Sequence, residues 1–404
     1  MPSVSTLNVL LHERLIGTLT RLPDDRTLFA FTKDYITDEG RATLSLSFKD
    51  VYGNLITDTK PTRMPSFFSN LLPEGPLRKY LAERAGVRPS REFFLLGVLG
   101  RDLPGAIQIV PADGDSWPQL SESGEEKELP PPQTVLRFSL AGVQLKFSAV
   151  KDATGGLTIP ANGVGGSWIV KLPSTTYAGV PENEYSMMEL ARRSGIDVPE
   201  IKLVSISDIS GLPEGTDSVG KYALAIKRFD RMEGGVRVHI EDFAQVFGVS
   251  PSEKYEKANY EMIGKVLATE AGEDGVVEFI RRLTFNALIG NGDMHLKNWS
   301  VIFPDKRAAT IAPAYDFVAT AAYIRGEKLA LNLGGTKAFR EVTGERFDRF
   351  ADKTKVPTKL VRDAVAATAE RFRAAWRDRA SLPIASNVEE TIEVQLQTVP
   401  IANA

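Results

Sequence analysis

Cysteine is absent from the 404 residues and histidine occurs only three times. The first absence excludes disulfides, thiol nucleophiles and cysteine-held zinc, and the second leaves too few imidazoles for a histidine-rich metal centre. Charge of one sign is also missing: 49 Lys and Arg stand against 52 Asp and Glu, a formal net charge of -3. Whole-chain electrostatics therefore gives no reason to expect autonomous nucleic-acid binding. No apolar run approaches the roughly 18 residues that span a bilayer, and residues 1 to 11 lack the basic-then-apolar pattern of an export signal. These absences lead to the expectation of a soluble cytoplasmic protein without membrane contact.

What is present is an ordinary globular composition, 43% hydrophobic and 25% charged, on a chain long enough for two or three lobes at about 100 to 200 residues each. Residues 6 to 48 alternate short apolar runs with turn pairs such as Pro23-Asp24 and Glu39-Gly40, which predicts a β-rich unit. Helical patterning follows over 65 to 85. Residues 112 to 133 have almost no apolar periodicity and end in three prolines, as a linker does. The predicted division is a β-rich N-terminal subdomain at 1–111, a linker at 112–133, a nucleotide-binding part at 134–235 and a helical lobe at 236–404.

Within the third unit, strands are expected over 134–150, 167–171, 201–206 and 221–229. A helix is expected over 183–194, stopped by Gly195. From residue 240 onward the pattern reads as helical, with Val276, Phe279, Ile280, Leu283, Ala287 and Leu288 forming one stripe that ends at Gly290. Two strand-like pieces, 299–303 and 310–312, lead to Tyr315-Asp316-Phe317, and 356–380 is helical again. The class is α+β.

Chemistry is concentrated where that stripe ends. Asp293 and Asn298 stand five residues apart in a loop, and Asp316 follows a short hairpin. Phosphoryl transfer needs a carboxylate to orient the attacking hydroxyl and hard oxygen ligands to hold Mg²⁺ on a triphosphate. Asp293 fits the first role, Asn298 and Asp316 the second. The spacing equals that of a protein-kinase catalytic loop, and Asp316-Phe317 begins an Asp-Phe-Gly element in which Val318 replaces the glycine. Upstream, a strand ends at Lys171 and Glu184 follows on the next helix, in the order of a phosphate-binding lysine and the glutamate that orients it. Taken singly, each reads as a surface lysine or a solvated glutamate. His295 reads as loop packing rather than as the base, and His12 and His239 show no evident partner. No Gly-x-Gly-x-x-Gly precedes Lys171; residues 138 to 146 (FSLAGVQLK) offer Ala141-Gly142 for backbone approach to phosphates and Lys146 for charge, or else a plain turn.

Taken in order, these motifs resemble the HipA family, the serine/threonine kinase toxins of bacterial type II toxin-antitoxin pairs. The likeness is carried by residues 66 to 75 (SFFSNLLPEG), 138 to 146 (FSLAGVQLK), 169 to 173 (IVKLP), 182 to 185 (ENEY), 227 to 231 (KRFDR) and 292 to 298 (GDMHLKN). It implies a bilobal kinase-like fold with ATP held between lobes by Ala141, Gly142, Val143, Gln144, Lys146, Lys171, the hinge from Lys227 to Phe229, His295, Asn298, Tyr315 and Asp316. It further implies Mg²⁺ on Asn298 and Asp316, catalysis by Asp293, and autophosphorylation at Ser139 that ejects the loop. The implied partners are a separate helix-turn-helix antitoxin, operator DNA reached only through it, and a protein substrate such as an aminoacyl-tRNA synthetase. Lys227 and Leu145 depart from acidic residues found in the family. Aminoglycoside, choline and phosphoinositide kinases share similar catalytic loops, and a nucleotide-binding pseudokinase is the non-enzymatic alternative.

Overall fold

Strict alternation of burial along β1 (Thr6–Leu11) sends Leu7, Val9 and Leu11 inward, as the two-residue period of a strand requires. The computed structural model describes residues 4–113, 146–151, 157–159, 166–212 and 219–403. With β2 (Arg14–Arg21), β3 (Thr27–Phe31) and the returning β4 (Ile107–Pro111), β1 makes a sheet in the order β3-β2-β1-β4. Between β3 and β4 the chain forms α1 (Lys33–Thr37), α2 (Ser66–Ser69), α3 (Gly75–Arg84) and α4 (Glu92–Leu99). Strands β1 to β3 fall in the stretch read as β-rich and α2 and α3 in the stretch read as helical, while α4 is a helix the sequence reading did not name. The apolar run Phe93, Phe94, Leu95, Leu96 on α4 has no strand alternation, and it is buried with Phe29, Phe67, Phe68 and Ile109 in one core.

The second unit is a sheet of β5 (Lys146–Lys151), β6 (Leu157–Thr158), β7 (Trp168–Lys171), β8 (Ile201–Ser205), β9 (Ile209–Ser210) and β10 (Tyr222–Lys227), in the order β8-β10-β7-β5-β6-β9. Helix α5 (Val180–Arg193) crosses between β7 and β8; it begins three residues before the predicted start. One face of this sheet packs Ala149, Trp168, Val170, Ala223 and Ala225. On the other, Leu224 and Ile226 meet Met187, Met188 and Leu190 of α5 and join the large C-terminal core. The loop calls at Ser139, Ala141, Gly142, Val143 and Gln144, and nearly all of the 112–133 linker, lie outside the described residues.

The third unit opens with a strand, not a helix: β11 (His239–Asp242) pairs antiparallel with a later strand, β12 (Ser300–Phe303), and corrects the helical reading from residue 240. Four residues carry too little periodicity to separate the two, and pairing decides. After β11 come α6 (Phe243–Val246), α7 (Tyr260–Glu270) and α8 (Gly272–Ile289); after β12, β13 (Thr310–Ile311), α9 (Gly344–Thr354), α10 (Thr358–Arg377) and α11 (Ser386–Thr398). The predicted stripe on α8 is buried, and the helix ends as expected at Gly290, whose φ of 67° is the left-handed cap glycine allows. A Cβ there would stand 3.0 Å from that of Ala321.

Buried polar groups tie the first unit to the other two. Glu241 of β11 accepts hydrogen bonds from Ser45 Oγ and Leu46 N. His239 is fully buried, its Nε2 2.7 Å from Leu44 O and its ring stacked on Phe303; burial lowers its pKa to about 4. Just past β10, Arg228, Asp230 and Arg231 form an ion cluster with Asp102, and Asp230 accepts from Gly105 N at 2.7 Å. Among the described residues no helix is long and apolar enough to cross a membrane.

Candidate active site

The glycine stop of α8 turns the chain sharply into the loop that carries Asp293. Asn291 fixes that turn: its Nδ2 donates to Asn286 Oδ1 at 2.8 Å and to Asp316 O at 3.2 Å, and its Oδ1 accepts from Asp293 N at 3.0 Å. One buried amide thus ties the helix end, the catalytic-loop candidate and the Asp316 backbone together. Asn298 closes the loop, donating from Nδ2 to Asp293 O at 2.8 Å. That bond leaves its Oδ1 as the acceptor end. Met294 O receives hydrogen bonds from Tyr260 and Trp299, both in the core beneath.

The Asp293 carboxylate accepts from the Tyr255 hydroxyl. Surrounding protein raises its pKa by desolvation, against the pull of that hydrogen bond and with help from the negative Asp316. Its side chain is nonetheless 53% exposed. His295 Nε2 lies 4.0 Å from Asp293 Oδ1. Burial, and then the charge of Lys254, depress this imidazole to about pKa 3, so it is neutral near pH 7. Its Nδ1 is buried with no partner among the described residues.

Strand β7 delivers Lys171 into the second half of the site. Its side chain is 4% exposed and its ammonium is paired with both Glu184 of α5 and Asp316. Lys146 of β5 adds a second cation 3.3 Å from Asp316. Desolvation alone would raise the Asp316 pKa, but the two lysines outweigh it and hold the carboxyl well below its ordinary range. Lys171 is the converse: burial would lower it, and Asp316 and Glu184 raise it. Glu184, 1% exposed, is pushed upward by burial against the pull of Lys171. Asp316 has φ 58°, a left-handed conformation uncommon for a residue with a Cβ. The Asn291 bond to its carbonyl holds it there.

Of the remaining predicted residues, Tyr315 is half-buried and donates to Lys297 O at 3.0 Å, and its ring lies 6.0 Å from that of Phe229. Lys227 ends β10 with an exposed ammonium 3.7 Å from Glu200. The structure thus brings Lys146, Lys171, Glu184 and Asp316 into ionic contact and binds the Asp293 loop to the Asp316 backbone. Sequence reading missed Tyr255, which spacing alone does not single out in a polar loop. It also missed that Glu74, inside a quoted motif, bonds Lys254 and Lys297 at 2.8 Å each.

A model of the HipA N-terminal domain matches residues 7–110, and one of the HipA-like C-terminal domain matches residues 138–376. The chain is 56% identical over 407 residues to the "Putative kinase Y4dM" of Sinorhizobium fredii, covering 99% of this chain and 98% of that protein. It is 26% identical over 371 residues to the serine/threonine-protein kinase toxin HipA of Shewanella oneidensis, covering 80% and 77%. The solved complex of Shewanella oneidensis HipA with HipB and operator DNA superposes at a TM-score of 0.73 with 23% identity, covering 98% of this chain and 96% of that one. That likeness shows the same bilobal kinase-like fold. Both family models in their expected order, together with a relative of full length, establish that the chain belongs to the HipA family.

Proposed function

We propose that this protein is an ATP-dependent serine/threonine protein kinase and the toxin of a toxin-antitoxin pair. The observation that carries the reading is the buried Lys171 held between Glu184 and Asp316, with Asp316 itself bonded through Asn291 to the loop of Asp293. A cation this deeply buried among carboxylates costs desolvation and is a poor device for stability alone. Its chemistry suits a triphosphate: Lys171 and Lys146 exchange carboxylate oxygens for phosphate oxygens, and Glu184 keeps Lys171 aimed. Asp316 and the Asn298 Oδ1 are the hard oxygen ligands that would hold Mg²⁺, and the ion would supply charge stabilisation to the phosphates. The unpartnered Nδ1 of neutral His295 fits a polar group of the nucleotide.

Asp293 then accepts the proton of the acceptor hydroxyl, a role consistent with its exposure and raised pKa. In this reading residues 1–111 form the N-terminal subdomain, 134–235 bind nucleotide with backbone contacts from Lys227 to Phe229, and 236–404 carry catalysis. The Ser139 hydroxyl is a phosphate acceptor in cis, and the loop of Ala141, Gly142, Val143 and Gln144 covers the phosphates. The Shewanella oneidensis relative was solved with HipB and operator DNA. By extension the partner here is a helix-turn-helix antitoxin that carries DNA contact, and the substrate is a translation-related protein of the aminoacyl-tRNA synthetase type. Phosphoproteomics after induced expression of wild type or Asp293→Asn tests this. A serine or threonine phosphate on such a protein, present with wild type and lost with the variant, is expected; identical phosphosites in both would overturn it.

A further inference from the structure

The motif at residues 66 to 75 lies in the N-terminal unit, far in sequence from the chemistry, and the proposed reaction gives it no role. Its last acidic residue nevertheless reaches the catalytic loop. Glu74 divides its carboxylate between two lysines: Oε2 accepts from Lys254 Nζ and Oε1 pairs with Lys297 Nζ, both at 2.8 Å. Glu74 sits at the N-terminal cap of α3 yet makes no side-chain bond to that helix, so the carboxylate is committed outward. Lys297 belongs to the catalytic loop itself and donates as well to Asn70 O at 3.1 Å. Lys254 is joined to the same loop through its carbonyl, which accepts from Leu296 N at 3.3 Å, and it immediately precedes Tyr255.

Tyr255 completes the path. Its hydroxyl donates to Asp293, the one hydrogen bond to that carboxylate among the described residues, and its ring stands edge-on to His295 at 4.8 Å. Asp293 is otherwise half exposed, with His295 Nε2 4.0 Å away. A lone surface ion pair would hold little. Here the lysines are 18% and 15% exposed and converge on one carboxylate, and the two cations overcome burial to hold the Glu74 pKa near 2. The pairs therefore persist across the physiological range.

Resting on the assignment of Asp293 above, we propose that Glu74 is a positioning residue for catalysis. Through Lys254 and Lys297 it fixes the catalytic loop and the Tyr255 hydroxyl that orients Asp293, making the N-terminal unit a working part of the active site. The proposal accounts for Asn70 and Glu74 lying together in one motif, since both grip Lys297. It also makes phosphate transfer sensitive to anything that draws the N-terminal unit away.

The test uses the full chain and two variants, Glu74→Gln and Tyr255→Phe, the second of which leaves the inter-unit contacts intact. Each is expected to lower kcat for phosphate transfer by about 10- to 100-fold while the ATP dissociation constant stays within about twofold, the signature of misplaced geometry. The double variant should be no worse than the poorer single one, because both cut one path. Amide hydrogen exchange over residues 293 to 298 should quicken in Glu74→Gln with an unchanged global unfolding midpoint. Unchanged kcat in Glu74→Gln, multiplicative losses in the double variant, or unchanged exchange would each overturn the proposal. If wild type transfers no phosphate, the assignment of Asp293 fails, and the exchange measurement still decides the link: quickening supports it and no change sinks it.

Discussion

Glu241→Gln should make the protein more stable in mild alkali while changing little in mild acid. Glu241 is 1% exposed, and among the described residues the Ser45 hydroxyl and the Leu46 N–H donate to it, with the charge of Lys49 a smaller help. Burial raises its pKa from 4.5 to about 8, a shift those two donors reduce but do not cancel. Between these two values the folded state binds a proton that the unfolded state has released. Stability is therefore full below pH 4.5, declines as the pH rises through the window, and levels off above about pH 8. At about 1.4 kcal/mol per unit, the displacement is worth at most ~5 kcal/mol, and about 3 kcal/mol is a sensible expectation once local hydration of the charged form is allowed. Glutamine keeps an acceptor for Leu46 N and a donor for Ser45 Oγ but cannot ionise. Urea unfolding of both proteins, followed by tryptophan fluorescence at pH 5 and pH 8.5, isolates this group, since His239 and Asp242 titrate in both. Near-equal stability at pH 5 and an advantage for the variant at pH 8.5 is the expected pattern. A wild-type advantage at pH 8.5, or a pH-independent difference, would refute the reasoning.

Lys171→Met strands the buried Glu184 carboxylate, so urea unfolding near pH 8 should show a loss of about 3 to 5 kcal/mol. Adding Glu184→Gln should recover most of that stability without restoring nucleotide binding, and a double variant as unstable as the single would contradict the pairing. Asp102→Asn removes a carboxylate from Arg228 and Arg231 across the boundary between units. A loss of about 2 to 4 kcal/mol, read as a lower thermal midpoint, should come with weaker ATP binding because Arg228 lies between Lys227 and Phe229.

The candidate site could be named from sequence where its residues lie at short spacings. Asp293 and Asn298 share one loop, and Lys171 ends a short apolar strand. The αL glycine at Gly290 marked the helix end without help from tertiary structure. What escaped reading depends on distance in sequence. β11 is four residues long and becomes a strand only by pairing with Ser300–Phe303. The Glu74 bond to Lys254 spans 180 positions, and the Arg228 bond to Asp102 spans 126. No local period announces such contacts. His239 looked solitary for the same reason, its acceptor lying on Leu44 in another unit.

The most direct test of the central claim is transfer of labelled γ-phosphate from Mg-ATP by the purified full chain, compared with Asp293→Asn. Incorporation into a serine of the protein, mapped to Ser139 by mass spectrometry and lost in the variant although ATP still binds, is the predicted result. Equal incorporation by both proteins, or ATP binding by wild type with no phosphate transferred to itself or to any protein of a cell lysate, would contradict it.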